Sequence, residues 1–431
     1  MNTRTVILAT LMTAAGSAFA QTGLDLDRAY ASELRAESDA RSSFLGESSD
    51  SNLSISVMMQ ARYMANFRDE GTTLLGDSDT TLGFSIPRAQ VRMSGQVTDN
   101  ISGKVSFDFG AAELNGRNTA GTATLLEAYA AWAVNDGFTL IIGQWQNPVV
   151  AEEAIAPEHG MAVERSATNE FFNPGYTQGI VGAWSGDNWK FAAAFSDGPT
   201  YYGNPATLNT PFNSSGESDL SITARFDYLV SGNWDQFADF ASWRGSNYGL
   251  KIGLGAHYNS SGDTNPATFT NAILGSLDEI DITLWTADIM VQGDGWNVFL
   301  EYVGHQVDPT PTAGSLPDFT NHGVVAQGGI FVSDQTELFA RYDAIFLDSV
   351  LEGLTGGTES DYHFLTAGVN YFFVPESHAA RFTADIVYSA TESSTLDAFT
   401  PTAGSADPST TGLLGLSDSE VAVRGQLTLV F

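Results

Sequence analysis

The chain has 431 residues, and its 51 Asp and Glu against 18 Lys and Arg give a formal charge of −33, which excludes a general nucleic-acid binder on electrostatic grounds. It has no cysteine, which removes disulfides, thiolate metal sites and thiol catalysis. A mean hydropathy of −0.07 with 43 glycines is too polar for a bundle of membrane helices but ordinary for a barrel with a wet lumen.

Residues 1–20 read as a secretory signal peptide: Arg4, an apolar run Val6–Met12, and Ala18-Phe19-Ala20 as a small-x-small cleavage site before Gln21. The apolar run is far below the ~20 residues that a helix needs to span a bilayer. Residues 21–52 are expected to form a periplasmic helix or linker. Within them, 24–45 is the helix candidate, with Leu26, Tyr30 and Leu34 on one face, but the stripe fails at Glu37 and Ser38.

From Leu53 the period changes to two. Leu53, Ile55, Val57, Met59, Ala61, Tyr63, Ala65 and Phe67 take one face and Ser54, Ser56, Gln60, Arg62 and Asn66 the other. There are sixteen such segments: 53–67, 82–98, 101–110, 124–135, 138–146, 177–185, 188–197, 218–230, 247–259, 280–292, 295–307, 321–333, 336–347, 361–374, 380–391 and 418–431. Their connections alternate between tiny turns, such as Thr98-Asp99-Asn100 and Gly293-Asp294-Gly295, and loops of roughly a dozen to thirty residues. Residues 231–246 (SGNWDQFADFASWRGS) break the rule, being a long aromatic connection where a short turn belongs. Trp184, Trp189, Trp296, Tyr371 and Phe373 crowd strand ends, where amphipathic rings sit at headgroup depth.

The expected fold over 53–431 is therefore all-β, a transmembrane antiparallel β-barrel of about 16 strands with short periplasmic turns and long extracellular loops. Unpaired backbone groups in hydrocarbon cost several kcal/mol each, so strands can span only as a closed barrel. The even strand number returns both ends to the periplasmic side. The chain is placed in the outer membrane of a diderm bacterium, with the lipid bilayer as its main partner.

Alternation puts ten cations on lumen-facing positions: Arg62, Arg88, Arg92, Lys104, Lys190, Arg225, Lys251, Arg341, Arg381 and Arg424. Nine acids join them: Asp108, Glu127, Asp227, Asp288, Glu301, Glu337, Asp343, Asp385 and Glu420. Charges of both signs facing across a lumen can set a field in a pore. The bland reading of each pair, Arg225 with Asp227 for example, is a wall contact that orders the barrel. The six histidines have no metal-ligand spacing, and no G-x-S-x-G or H-E-x-x-H occurs, so neither a metal, a cofactor nor catalysis is expected. A passive porin competes with a structural barrel that tethers the envelope and conducts little. A channel for hydrophobic substrates would carry fewer charged lumen positions.

Ser85-Ile86-Pro87-Arg88-Ala89-Gln90-Val91-Arg92-Met93-Ser94-Gly95 resembles the second-strand segment of the phosphate-selective porin O/P family. Ile141-Ile142-Gly143-Gln144-Trp145-Gln146-Asn147-Pro148-Val149 is similar to the segment in which that family's strand runs into loop three. Glu164-Arg165-Ser166 and Asn173–Ile180 resemble the next stretches of the family's chain. The likeness is best over about 84–197. It implies a sixteen-stranded, trimeric diffusion channel with loop three, here about 147–176, folded inward. Phosphate selection in the family implies an arginine ladder and a lysine cluster. This chain has only Lys104, Lys190 and Lys251, and Gln146 stands where the family has its first loop-three lysine. The constriction loop instead carries Glu152, Glu153, Glu158, Glu164 and Glu170 against Arg165.

Phe431, after Leu427 and Leu429, resembles the terminal signal read by the outer-membrane assembly machinery. Deleting Phe431 should sharply lower the yield of heat-modifiable barrel in the outer membrane, while Phe431→Tyr should be tolerated. Normal yield from the deletion would show that the terminal residue carries no signal.

Overall fold

The computed structural model describes residues 53–68, 79–110, 123–198, 218–261, 269–271, 274–351, 361–391, 412–413 and 419–431. The expected signal peptide over 1–20 and the helix expected over 24–45 lie outside them. One antiparallel sheet closes on itself. Its eighteen strand segments make sixteen crossing strands, because Thr80–Ser85 and Ala89–Thr98 both pair with the first strand, and Phe269–Asn271 is a three-residue clip beside a long one.

In chain order the crossing strands are β1 (Leu53–Arg68), β2 (Thr80–Ser85 with Ala89–Thr98), β3 (Ile101–Asp108), β4 (Thr124–Asn135), β5 (Phe138–Gln146), β6 (Tyr176–Ser185), β7 (Trp189–Ser196) and β8 (Leu220–Ser231). The second half comprises β9 (Gly249–Ser261), β10 (Gly275–Gly293), β11 (Trp296–Pro311), β12 (Phe319–Phe331), β13 (Thr336–Phe346), β14 (Asp361–Phe372), β15 (Ala380–Ser389) and β16 (Glu420–Val430). Each pairs with its sequence neighbours, and β16 pairs with β1 from Met58↔Val430 to Arg68↔Glu420. Phe431 continues the seam: its N–H donates to the Val57 carbonyl (3.0 Å) and its carbonyl accepts from the Val57 N–H (2.7 Å). The closed ladder leaves no edge, which is the condition for strands in lipid.

The two-residue period survives almost intact. Along β11 and β15, outward positions such as Leu300, Tyr302, Phe382 and Ile386 are exposed, while Glu301, Val303, Arg381 and Asp385 are buried inside the barrel. An exposed apolar outer face over a polar inner one is the inverse of a soluble sandwich.

One correction concerns β2. An unbroken strand over 82–98 would put Phe84 and Arg88 on the same face. The register instead shifts across Ile86-Pro87-Arg88: Arg62 pairs with Ser85 but Met59 with Ala89, so three residues oppose two. Pro87 has no N–H for the ladder, and a bulge is where a strand accommodates it. Phe84 (87% exposed) and Ile86 (53%) thus face out, while Arg88, Gln90 and Arg92 face in.

The interior is filled unequally. Loop three, residues 147–175, folds into the barrel and contains a short helix α1 (Ala167–Phe172). Ser166 caps α1 by accepting the Asn169 N–H at 2.9 Å. Inward glycines on the wall let the loop come close. A Cβ on Gly255 would stand 2.6 Å from the Val149 carbonyl oxygen, and one on Gly323 would stand 2.5 Å from the Phe172 ring and 2.6 Å from the Thr168 methyl. Both contacts are closer than a side chain tolerates. Gly323→Ala should lift α1 off the wall and lower the heat-modification midpoint of the folded barrel, and an unchanged midpoint would show that α1 is not seated there.

Candidate functional site: the lumen and loop three

The lumen's charge chemistry centres on Glu164, at the middle of loop three. Arg88 grips it with two parallel bonds, Nη1 to Oε1 and Nη2 to Oε2, both 2.9 Å. Arg62 reaches the same carboxylate and also bonds the Gln426 side chain. Burial alone would raise the Glu164 carboxyl, but Arg88 and then Arg62 overrule it and hold it well below the usual carboxylate range. The bulge at 86–88 makes this possible, since it turns Arg88 into the lumen beside Arg62. Further along the loop, Glu158 pairs with Arg92, which also opposes its burial and lowers its carboxyl.

The opposite wall holds the loop by its backbone. The Val149 carbonyl accepts from Arg225 (3.0 Å) and from the Thr286 hydroxyl (2.9 Å), and the Ala151 N–H donates to Glu301 (2.6 Å). Arg341 donates to the Glu164 and Arg165 carbonyls at 3.0 and 3.1 Å, and Asp343 accepts the first N–H of α1 at 2.9 Å. Asn370 and Arg381 donate to the Met161 and Gly160 carbonyls at 2.9 and 2.6 Å. Asp385 accepts the Val163 N–H (3.0 Å) while Arg424 clamps it at 2.7 and 2.8 Å. Loop backbone buried away from water must find such partners, each worth about 1 kcal/mol net but costly to leave unmade.

This changes the meaning of the ten cations. All lie on the lumen side, yet Arg62, Arg88, Arg225, Arg341, Arg381 and Arg424 are at most 7% exposed and bound to loop three or to wall acids that hold it. Arg225 and Asp227 pair at 2.8 Å, and Asp288 joins Arg225 at 2.7 Å. Asp108 is also structural, accepting the Ala89 N–H (2.9 Å) and the Gly110 N–H (2.6 Å). Two of the loop's remaining acids are likewise engaged, while the Glu170 side chain, on α1, makes no hydrogen bond or ion pair among the described residues. Glu152 accepts from Ser166, while Glu153 takes Gln146, Asn169 and Arg165 (3.2 Å to the last).

Strands β3–β7 are different. Their inward positions, fixed by register with Lys104 and Arg225, are Ser102, Tyr129, Ala131, Ala133, Thr139, Ile141, Ala183 and Ala192. These are mostly small, and they keep contact with solvent inside the barrel. On this side Lys104 pairs with Glu127 at 2.5 Å with a side chain 31% exposed, the most accessible lumen cation after Lys190. Lys190 lies 4.3 Å over the Trp234 ring, and Lys251 stands 3.7 Å from Asp227. The accessible part of the lumen wall therefore lies on the β2–β7 side, where Arg92, Lys104, Glu127 and Tyr129 keep contact with solvent. Alternation places the charges on the correct face but does not tell which of them loop three covers. It also misses Asn370 and Thr286, neutral anchors with no charge signal.

A family model, phosphate-selective porin O and P, matches residues 59–403. The chain belongs to that family. It is an outer-membrane porin, a diffusion channel. Among solved structures, the anion-selective porin from Comamonas acidovorans superposes with TM-score 0.56 at 10% identity, covering 89% of this chain and 100% of that one. OprB of Pseudomonas putida gives 0.55 at 11%, covering 91% and 96%. The trimer form of OmpT from Vibrio cholerae gives 0.50 at 14%, covering 88% and 99%. At such identities the likeness is one of fold. Among functionally curated proteins none matches the sequence.

Glu164→Gln leaves Arg62 and Arg88 buried against a neutral amide, and breaking a buried charge pair costs about 3–5 kcal/mol. The porin should still assemble, with a lower heat-modification midpoint and proteolytic cleavage within 147–175. A variant as stable and as protease-resistant as the parent would refute the clamp.

Proposed function

We propose that this porin passes small hydrophilic solutes and ions passively along the β2–β7 side of loop three, as a homotrimer exported through its signal peptide, with the long loops outside and the short turns in the periplasm. The single observation that carries the reading is the distribution of the lumen arginines. Those on β1, β8, β13, β15 and β16 are spent on loop three and the acids beside it, so they form no anion ladder. On the β2–β7 side, Arg92 and Lys104 are each matched by an acid, Glu158 and Glu127. Phosphate selection has no support in that arrangement, and Gln146 bonds Glu153 where the family has a lysine. The matched pairs give weak selectivity, and the lean toward cations comes from Glu170, the loop-three glutamate with no ion pair among the described residues.

The supporting experiment is the reversal potential in planar bilayers under a KCl gradient. Stepwise openings with a modest cation preference are expected. Strong phosphate preference would overturn the reading, and a silent, correctly folded trimer would favour the envelope-tethering alternative.

The preference should also depend on pH. Burial, and then the neighbouring Glu153 carboxylate, push the Glu170 carboxyl up to about 8. It is therefore largely protonated at pH 7, and raising the pH through 8 adds negative charge to the face of loop three. Cation preference should rise between pH 7 and 9, and Glu170→Gln should remove most of that rise. A flat profile in the parent would contradict it.

A further inference from the structure

The connection 232–248 between β8 and β9 is, among the described residues, the one long segment at the short-turn end of the barrel, and it does not hang free. It folds into the barrel mouth. Phe237 and Phe240 are 4% and 2% exposed, and they share an apolar cluster with Ala151, Ile155, Met161 and Ala162 of loop three. The Phe240 ring meets Phe299 of β11 edge-on, 5.1 Å between centroids. At the tip of loop three, His159 touches the segment through both backbone and ring. Its carbonyl accepts the Phe240 N–H at 3.5 Å, and its Nδ1 lies 3.2 Å from the Ala238 carbonyl oxygen.

The segment is itself fixed to the wall. Ser242 donates to the Gly293 carbonyl and Gln292 to the Asp239 carbonyl, both at 2.6 Å, and the Gly245 N–H donates to Asp294 at 2.6 Å. Trp243 stacks among Phe331, Phe372 and His378, with centroids 5.1, 4.7 and 5.4 Å away. Asp239 bonds His378 at 2.5 Å. Loop three reaches the barrel from the long-loop end, so its tip would otherwise be cantilevered into the lumen. Apolar packing and a short chain of hydrogen bonds stop it there.

We propose that 232–248 is the seat of loop three, with Phe240 as the positioning residue that sets from the short-turn end how far the loop stands from β2–β7, and hence the width of the channel. This rests on the channel reading above. It assigns the segment a role in permeation, distinct from the closure of a turn.

The test compares single-channel conductance and open-channel noise in planar bilayers for the full-length porin, Phe240→Ala, His159→Ala and the double variant, each checked for heat-modifiability. His159 is only half-buried, and its ring meets the segment at the Ala238 carbonyl and at His378, so its substitution loosens the same seat from the loop side without a core cavity while leaving the backbone bond to Phe240 in place. Each single variant should raise conductance by at least about 1.5-fold with added noise, because a seated constriction sets the flux. The double variant should add little, since both changes unseat the same stretch of loop three. Phe240→Leu, which refills the pocket, should restore the parental trace. Unchanged conductance and noise in His159→Ala, whatever Phe240→Ala does, would overturn the proposal, as would fully additive effects. A silent parent would overturn both this proposal and the channel reading. A conducting parent with unaltered variants counts against the seat alone.

Discussion

A carboxylate carried into a barrel must meet a cation there or cost several kcal/mol, and this requirement organises the lumen. Loop three brings Glu152, Glu153, Glu158 and Glu164 into buried positions. The wall answers with Arg341, Arg92, Arg88 and Arg62, and Arg165 of the loop itself covers Glu153. Glu164 matters most, because two strands converge on it. Arg62 belongs to β1, and Arg88 to the bulge in β2, so the bond that fixes the loop also ties together the strands next to the closing seam with β16.

Once the loop is fixed at that point, the rest of its path is determined by backbone satisfaction. Its carbonyls and N–H groups between 149 and 168 are taken by side chains of β8, β10, β11, β13, β14 and β15, and glycines at 255 and 323 let it lie close to the sheet. The barrel is filled on one side and open on the other. A count of inward charges therefore overstates the charge a passing ion meets. Most of the inward charges meet at a contact between loop and wall, and the accessible inward positions of β3–β7 are mostly alanine, serine and threonine beside a few matched pairs.

The strand period was the legible part of the sequence. Two faces of opposite polarity, repeated sixteen times, suffice to recover the barrel and the inward face on which the cations sit. The inward fold of loop three was legible only through the family resemblance around Gly143 and Asn147. What a period of two cannot report is what covers a face. Arg341 and Lys104 obey the same alternation, yet one is buried under loop three and the other borders solvent. Asn370 and Thr286 hold loop backbone as neutral side chains, so nothing in their chemistry distinguishes them from other inward residues. The β2 bulge was half visible: Pro87 announces a break in a ladder, and only the break reconciles outward Phe84 with inward Arg88. The segment 232–248 has no period at all, and its Phe237, Phe240 and Trp243 make sense only beside loop three and the β12–β14 wall.

The central claim is that solutes move along β2–β7 while the opposite wall is sealed. Because the chain has no cysteine of its own, single cysteines report on it cleanly. Ala133→Cys and Thr139→Cys, on the open side, should react with a small charged thiosulfonate reagent added to the bath and lower the single-channel conductance as they do so. Thr286→Cys and Thr383→Cys, beneath and beside loop three, should stay unmodified in the folded porin. Equal labelling on both walls, or block from positions 286 and 383 alone, would contradict the account.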